Sequence, residues 1–292
     1  MQAFDKIPDQ SWQAVVNPTR PAEVEAYLID EIFKAMGLGA SGALRALLGP
    51  LFTPVVRGFA KKAAAFDRSV SQKGFQQAAQ EWLSRWISSL EVVGREYLAS
   101  TGPLLIAANH PGTFDGLAVA SVMPRQDIKI VTAANPFFRA LPNTRRYFIY
   151  STLDAHVRMA TIRNALRHLL AGGALLIFPS GKLDPDPLYF REAARQAINR
   201  WSASLSLFLR KAPETRLILA INSGFVASEY INCGAARLQR GDISRQKLAE
   251  FIQVIQQVIL NRRVFQQPRV VFSKPLEAAQ IGDGVLDFQE QI

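Results

Sequence analysis

Through its first hundred residues the chain repeats apolar positions at three- and four-residue intervals. From residue 104 onward that spacing gives way to short unbroken apolar runs. The first pattern belongs to helices with one buried face, the second to strands buried on both faces of a sheet. Six runs have strand character, at 104–108, 128–133, 147–150, 174–178, 217–221 and 269–272. Helical spacing fills most of the intervals, notably at 158–170, 192–210 and 244–261. This alternation predicts an α/β fold: a central, largely parallel sheet flanked by helices and preceded by a smaller N-terminal helical region. The expected division is residues 1–98 as the helical region, 99–276 as the α/β domain and 277–292 as a weakly patterned C-terminal tail.

Within the first region, Pro21-Ala22-Glu23-Val24-Glu25 reads as a helix start, with proline in the first turn and acidic residues behind it. Residues 44–62 are strongly apolar, interrupted by Gly and Pro, and edged by Arg45, Arg57, Lys61 and Lys62. That composition suits a helix lying at a lipid interface, and it suits equally a helical subdomain packed on the core. Residues 72–100 read as a further helix carrying Trp82, Trp86 and Leu90 on one face and stopped by Gly102-Pro103. No apolar run reaches the roughly 18 to 20 residues that cross a bilayer, and the opening residues do not have the pattern of a secretory signal.

Charge narrows the partners without choosing one. Lys and Arg number 34 against 24 Asp and Glu, a formal charge of +10 that attracts anionic surfaces. The basic residues are scattered rather than interleaved with aromatics in one block, which argues against nucleic acid. The single cysteine, Cys233, excludes an intramolecular disulfide and any multi-cysteine zinc site, and suits a reducing cytosol. The expectation is a cytoplasmic protein, peripheral at the inner membrane surface, with no metal.

Two stretches carry candidate chemistry. The apolar run 104–108 leads into Asn109-His110-Pro111-Gly112-Thr113-Phe114-Asp115, a polar turn that opens a helix near Gly116. Five residues apart across a tight turn, a carboxylate can accept from one imidazole nitrogen and leave the other to take a proton from an attacking hydroxyl. A plainer role for Asp115 is to cap the helix. The second stretch, Phe178-Pro179-Ser180-Gly181-Lys182-Leu183-Asp184-Pro185, is again a buried strand running into a glycine turn. Backbone amides there can approach a ligand, with Lys182 beside them. No Gly-x-Ser-x-Gly elbow occurs, which speaks against a serine hydrolase.

Together these motifs resemble the glycerolipid acyltransferase superfamily, which includes glycerol-3-phosphate and lysophosphatidic acid acyltransferases. Its first motif, a His, four residues and an Asp, is matched by His110 and Asp115. Its Phe-Pro-Glu-Gly motif appears here as Phe178-Pro179-Ser180-Gly181. The Pro-Ser-Gly form and a leading helical region are nearest to the soluble plastid-type glycerol-3-phosphate acyltransferases. The resemblance implies transfer of a fatty acyl group from acyl-CoA or acyl-carrier protein, as co-substrate rather than bound cofactor, to a hydroxyl of a glycerolipid-like acceptor. His110 and Asp115 would be catalytic, and Thr113, Phe114, Ser180, Gly181, Lys182, Arg139, His156 and Arg158 would contact substrate. Arg145 and Arg146 are further candidates for an anionic head group. Where relatives place phosphate-holding arginines, this chain has Lys182-Leu183-Asp184-Pro185. Where many place a basic residue after the third strand, it has Ser151-Thr152-Leu153-Asp154. Those departures leave the acceptor open, and they motivate an alternative, a catalytically silent lipid-binding protein on the same fold.

Overall fold

The computed structural model describes residues 21–37, 42–201, 204–260, 264 and 266–276. The expected tail and the opening residues lie outside them. Seven strands form one sheet: β1 (Glu91–Val93), β2 (Leu104–Ala108), β3 (Lys129–Ala133), β4 (Phe148–Ser151), β5 (Ala174–Ile177), β6 (Arg216–Ser223) and β7 (Arg269–Phe272). Their order across the sheet is β1-β7-β6-β2-β5-β3-β4. Every pairing is parallel except that of β6 with β7, so β1 and β7 run against the other five.

β2 occupies the middle of the sheet and all five of its residues are buried. Successive side chains of a strand point to opposite faces. Leu104, Ile106 and Ala108 accordingly join a core layer with Phe75, Trp82, Trp86 and Phe114, while Leu105 and Ala107 join a second layer with Leu169, Leu205 and Phe208. The first layer is covered by helices Phe75–Leu83 and Asp115–Val122, the second by helices Ala155–Leu170 and Ser204–Lys211. A strand apolar on both sides is what this placement requires, and 104–108 has that character.

The N-terminal helices pack on the first layer. Ala63, Phe66 and Val70 of helix Gly42–Lys73, at three- and four-residue spacing, share its core with β2. Buried Asp67 accepts from Asn143 N (3.1 Å), Thr144 N (2.8 Å) and Thr144 Oγ1 (2.7 Å), tying that helix to the loop before β4. Gly and Pro interrupt the apolar pattern of residues 44–62, and the helix expected there continues through Pro50 and Pro54. Each proline removes one backbone donor, and the packing of the later turns holds the helix across that loss.

Two other expectations change. Residues 72–100 do not form one helix: it spans Phe75–Leu83, and Glu91–Val93 is an edge strand beside β7. Three residues are too few to register as a period, and only pairing with Arg269–Val271 makes them a strand. The expected helix 192–210 is two, Arg191–Ile198 and Ser204–Lys211, and Trp201 between them enters the second core layer.

Candidate active site

The sheet delivers His110 and the 178–184 turn to one edge, because β2 and β5 are parallel neighbours and both turns leave from their carboxyl ends. Beyond the last residue of β2, Asn109 and Asn222 continue the ladder with their side chains. Asn109 Oδ1 accepts from Asn222 N (2.6 Å), Asn109 Nδ2 donates to Asn222 O (2.9 Å), and Asn222 Nδ2 donates to Asn109 O (3.0 Å). Both side chains are buried, so the turn starts from a rigid base.

His110 Nδ1 lies 2.8 Å from Asp115 Oδ2. The same oxygen accepts from Gly112 N (3.2 Å), and Oδ1 accepts from Gly116 N (2.6 Å). Asp115 is the first residue of its helix, and the capping position is Phe114, whose side chain makes no cap bond. The carboxylate thus serves the turn and the imidazole together. An acceptor with its remaining lone pairs on amides holds the proton on Nδ1 and leaves Nε2 with a free lone pair. Asp115 is 1% exposed and the His110 side chain 30%, so the pair is buried on the aspartate side and open on the imidazole side. Phe178 stacks on the imidazole with centroids 4.4 Å apart and fixes its plane.

The two motifs are bonded to each other. His110 N donates to Asp184 Oδ2 (2.9 Å) and His110 O accepts from Asp184 N (2.8 Å). Ser180 Oγ sits 2.8 Å from Lys182 O and 3.0 Å from Asp184 Oδ2, sharing one proton between them. Gly181 turns at φ +64°, the left-handed region that glycine enters without strain. Asp186 takes Leu188 N (2.9 Å) and Gly224 N (2.8 Å), linking the same turn to the end of β6.

Acidic groups surround the imidazole. Burial disfavours its charged form, but Asp115, by charge and by hydrogen bond, and then Glu250 and Asp184 outweigh that and hold His110 above its ordinary value. The carboxyls respond to burial in the other direction. Asp184 and Glu250 are pushed up, and Asp186 is pushed up to about 6. An imidazolium formed here would face three carboxylates, which lowers the cost of charging it.

The other sequence-derived candidates divide. Thr113, three residues past His110, is exposed, and so is Lys182, which lies with Ser180 and Gly181 in the adjoining turn. Phe114, expected to touch substrate, is buried in the core with its ring 5.3 Å from Trp86, since the helix start turns it inward. Arg139, His156 and Arg158 lie beyond β3 and β4, and three strand spacings, about 14 Å, separate β4 from β2. His156, Arg158 and Arg146 are exposed, Arg146 lying over the Tyr147 ring. Arg139 and Arg145 are half-buried near Tyr150. Burial pushes the Tyr150 hydroxyl up to about 12 against the opposing pull of Arg145 and Arg139. His168 bonds Ala174 O (2.9 Å) on the far side of the sheet, and burial lowers its pKa. Among the described residues, no cluster of three His, Cys, Asp or Glu side chains is placed to hold a metal ion.

Sequence reasoning missed Asn222, Gln246 and Glu250 and assigned no role to Asp184 or Asp186. The two aspartates sit in the quoted Asp-Pro-Asp-Pro run. Gln246, Glu250, Gln253 and Gln257 recur at helical spacing within residues 244–261, a polar stripe that periodicity reads as a solvated face.

The Acyltransferase family profile matches residues 89–224. Among solved structures, the chain is similar to the 1-acyl-sn-glycerophosphate (LPA) acyltransferase PlsC from Thermotoga maritima. Identity is 14%, coverage is 87% of this chain and 84% of that one, and the TM-score is 0.37. No curated protein matches the chain.

Proposed function

We propose, from the match of residues 89–224 to the Acyltransferase family profile, that the chain moves a fatty acyl group from an acyl thioester to a hydroxyl of a glycerolipid-like acceptor. The observation that carries the reading is the 2.8 Å contact between His110 Nδ1 and the amide-held carboxylate of Asp115. With Nδ1 protonated, Nε2 takes the acceptor's hydroxyl proton as its oxygen bonds to the thioester carbonyl carbon. The tetrahedral adduct then collapses, the carbon–sulfur bond breaks, and the imidazolium returns its proton to the departing thiolate. No acyl-enzyme forms. Asp115 orients the ring and, with Asp184 and Glu250, stabilises the imidazolium.

Thr113 and Lys182 are exposed on the two turns that leave β2 and β5, the turns that carry His110 and Ser180-Gly181. Arg139 and Arg158 supply positive charge toward the same sheet edge, with His156 exposed beside Arg158, an arrangement suited to an anionic head group. The test is release of free thiol from long-chain acyl-CoA and from acyl-carrier protein, with lysophosphatidate and glycerol 3-phosphate as acceptors. The base form of His110 is neutral, and its pKa lies above the ordinary 6.5. Activity is therefore expected to fall as pH drops through a midpoint higher than 6.5. No thiol release from either donor with any acceptor, together with retained liposome binding, would favour the silent lipid-binding alternative, to which the Lys182-Leu183 departure points.

Membrane contact is a separate part of the proposal. Among the described residues no helix is long and apolar enough to cross a membrane. Helix Gly42–Lys73 leaves Leu47 73% and Leu51 69% exposed, one turn apart on the same face. Lys61 is exposed further along, and Arg57 pairs with Glu25 at 3.1 Å. Inserting two leucines into a bilayer's apolar layer is worth about 3 kcal/mol or more. Leu47→Glu with Leu51→Glu is therefore expected to cut partitioning to anionic vesicles at least about tenfold in a cosedimentation assay. Unchanged partitioning would remove this surface from consideration.

A further inference from the structure

We propose that Gln246 and Glu250, on helix Asp242–Leu260, are positioning residues that hold the 111–113 turn so that His110 and Asp115 meet. The inference rests on the reading of His110 as the base. Within the turn itself Gly112 N donates to Asp115 Oδ2. Pro111 lacks an amide proton and Gly112 lacks a side chain, however, and the Pro111 carbonyl and Thr113 amide take partners from outside the turn. The helix supplies both partners. Gln246 Nε2 donates to Pro111 O, and Glu250 Oε1 accepts from Thr113 N at 2.7 Å.

Between those two bonds, Gly112 passes so close that a Cβ there would stand 3.0 Å from Glu250 Oε1. A side chain at this position would crowd the Glu250 carboxylate, which would have to give by a few tenths of an ångström. Gln246 also donates to Asp184 O (3.0 Å) and accepts from Asp186 N (2.8 Å), so the same side chain holds the second turn. One turn of helix thus bridges both strand exits, β2 and β5, that form the site. Gln246 and Glu250 are both buried, although they belong to residue types normally found outside. Burying them costs desolvation that only fully made hydrogen bonds offset.

Beyond the charge by which Glu250 helps to stabilise the imidazolium, their effect on the chemistry is geometric. Asp115 Oδ2 accepts from Gly112 N and from His110 Nδ1 at once, so a shift of Gly112 moves the carboxylate that orients the imidazole. A displacement of about 1 Å in a reacting group can cost about 10²-fold in rate.

The experiment compares three substitutions in the full chain. Glu250→Leu removes the acceptor at similar volume, Glu250→Asp keeps the charge but shortens the reach, and Glu250→Gln keeps an acceptor oxygen at full reach. With palmitoyl-CoA and lysophosphatidate as substrates, Glu250→Leu and Glu250→Asp are expected to lose about tenfold or more in kcat, with KM within about twofold. Glu250→Gln is expected to restore most of that loss. Amide exchange across residues 110–116 reads the same geometry without turnover and is expected to rise about tenfold in Glu250→Asp, with β5 and β6 unchanged. Wild-type kcat in Glu250→Asp overturns the assignment, and so does wild-type exchange across the turn. Greater damage from Glu250→Gln than from Glu250→Asp overturns it too, because the charge rather than the reach of the bond would then matter. A wild-type chain inactive on every donor and acceptor overturns the base reading instead, and the exchange result then decides by itself whether Gln246 and Glu250 hold the turn.

Discussion

Replacing His110 by alanine is expected to lower kcat for acyl transfer by about 10²- to 10⁴-fold, the usual contribution of a positioned general base. The fold should survive. The side chain stacks on Phe178 and is 30% exposed, while its backbone bonds to Asp184 do not depend on the ring. Asp115 would still hold the amides of Gly112 and Gly116. The melting midpoint is accordingly expected within a few degrees of wild type. Asp115→Asn separates orientation from basicity. It removes the nearest charge that raises His110, so the acid limb of the rate profile should move to lower pH while the plateau drops. Thiol release measured across pH for the three proteins checks both statements. A His110→Ala enzyme retaining more than about a tenth of wild-type turnover would assign the base to another residue.

The second large effect is on stability. Asn109→Ala is expected to cost about 3 kcal/mol, because it strands the buried amide and carbonyl of Asn222, each worth about 1 to 3 kcal/mol when left unmade. Asn222→Ala should cost less, since it removes only the bond to Asn109 O. The double variant should fall short of the sum by about 1 kcal/mol or more, because the three bonds form one network. Urea unfolding of the four proteins measures the coupling. Additivity within about 0.5 kcal/mol would mean that the strand ends are held by something other than these side chains.

Where residues interact with near sequence neighbours, or where a period repeats for several turns, the sequence was enough. The run 104–108 is β2, 269–272 is β7, and the 158–170 helix extends only a few residues further to Ala155–Leu170. His110 and Asp115 are five residues apart across one turn, so their meeting is a local event and legible as such. The edge strand Glu91–Val93 was not legible, being three residues defined by a partner 178 positions away. The 72–100 helix failed for the same reason. The family resemblance makes Phe114 a substrate contact, but the start of helix Asp115–Val122 turns it to Trp86.

The final helix marks the limit most clearly. Its hydropathy pattern puts Gln246, Glu250, Gln253 and Gln257 on a solvated face. In the fold that face is buried, and Ile259 and Leu260 are exposed. Periodicity tells which residues share a face of a helix, not what the rest of the chain brings against it. Here the neighbours are loops with unpaired backbone groups. Gln253 serves Ala227 N (2.8 Å) and Phe225 O (3.1 Å), and Gln257 donates to Trp86 O (2.6 Å). A polar stripe is the right surface for such neighbours.

By itself, then, the sequence determined the α/β class, the strand exits that carry the site and the His110–Asp115 pair, because each depends on short-range geometry or sustained period. Only the tertiary structure decided that the turns at His110 and Asp184 are bonded to each other, that Asn109 finds Asn222, and that Gln246 and Glu250 belong to the same site. Those contacts join residues 60 to 140 positions apart, and which long-range partners meet is fixed by the order of strands in the sheet, on which local spacing has no bearing.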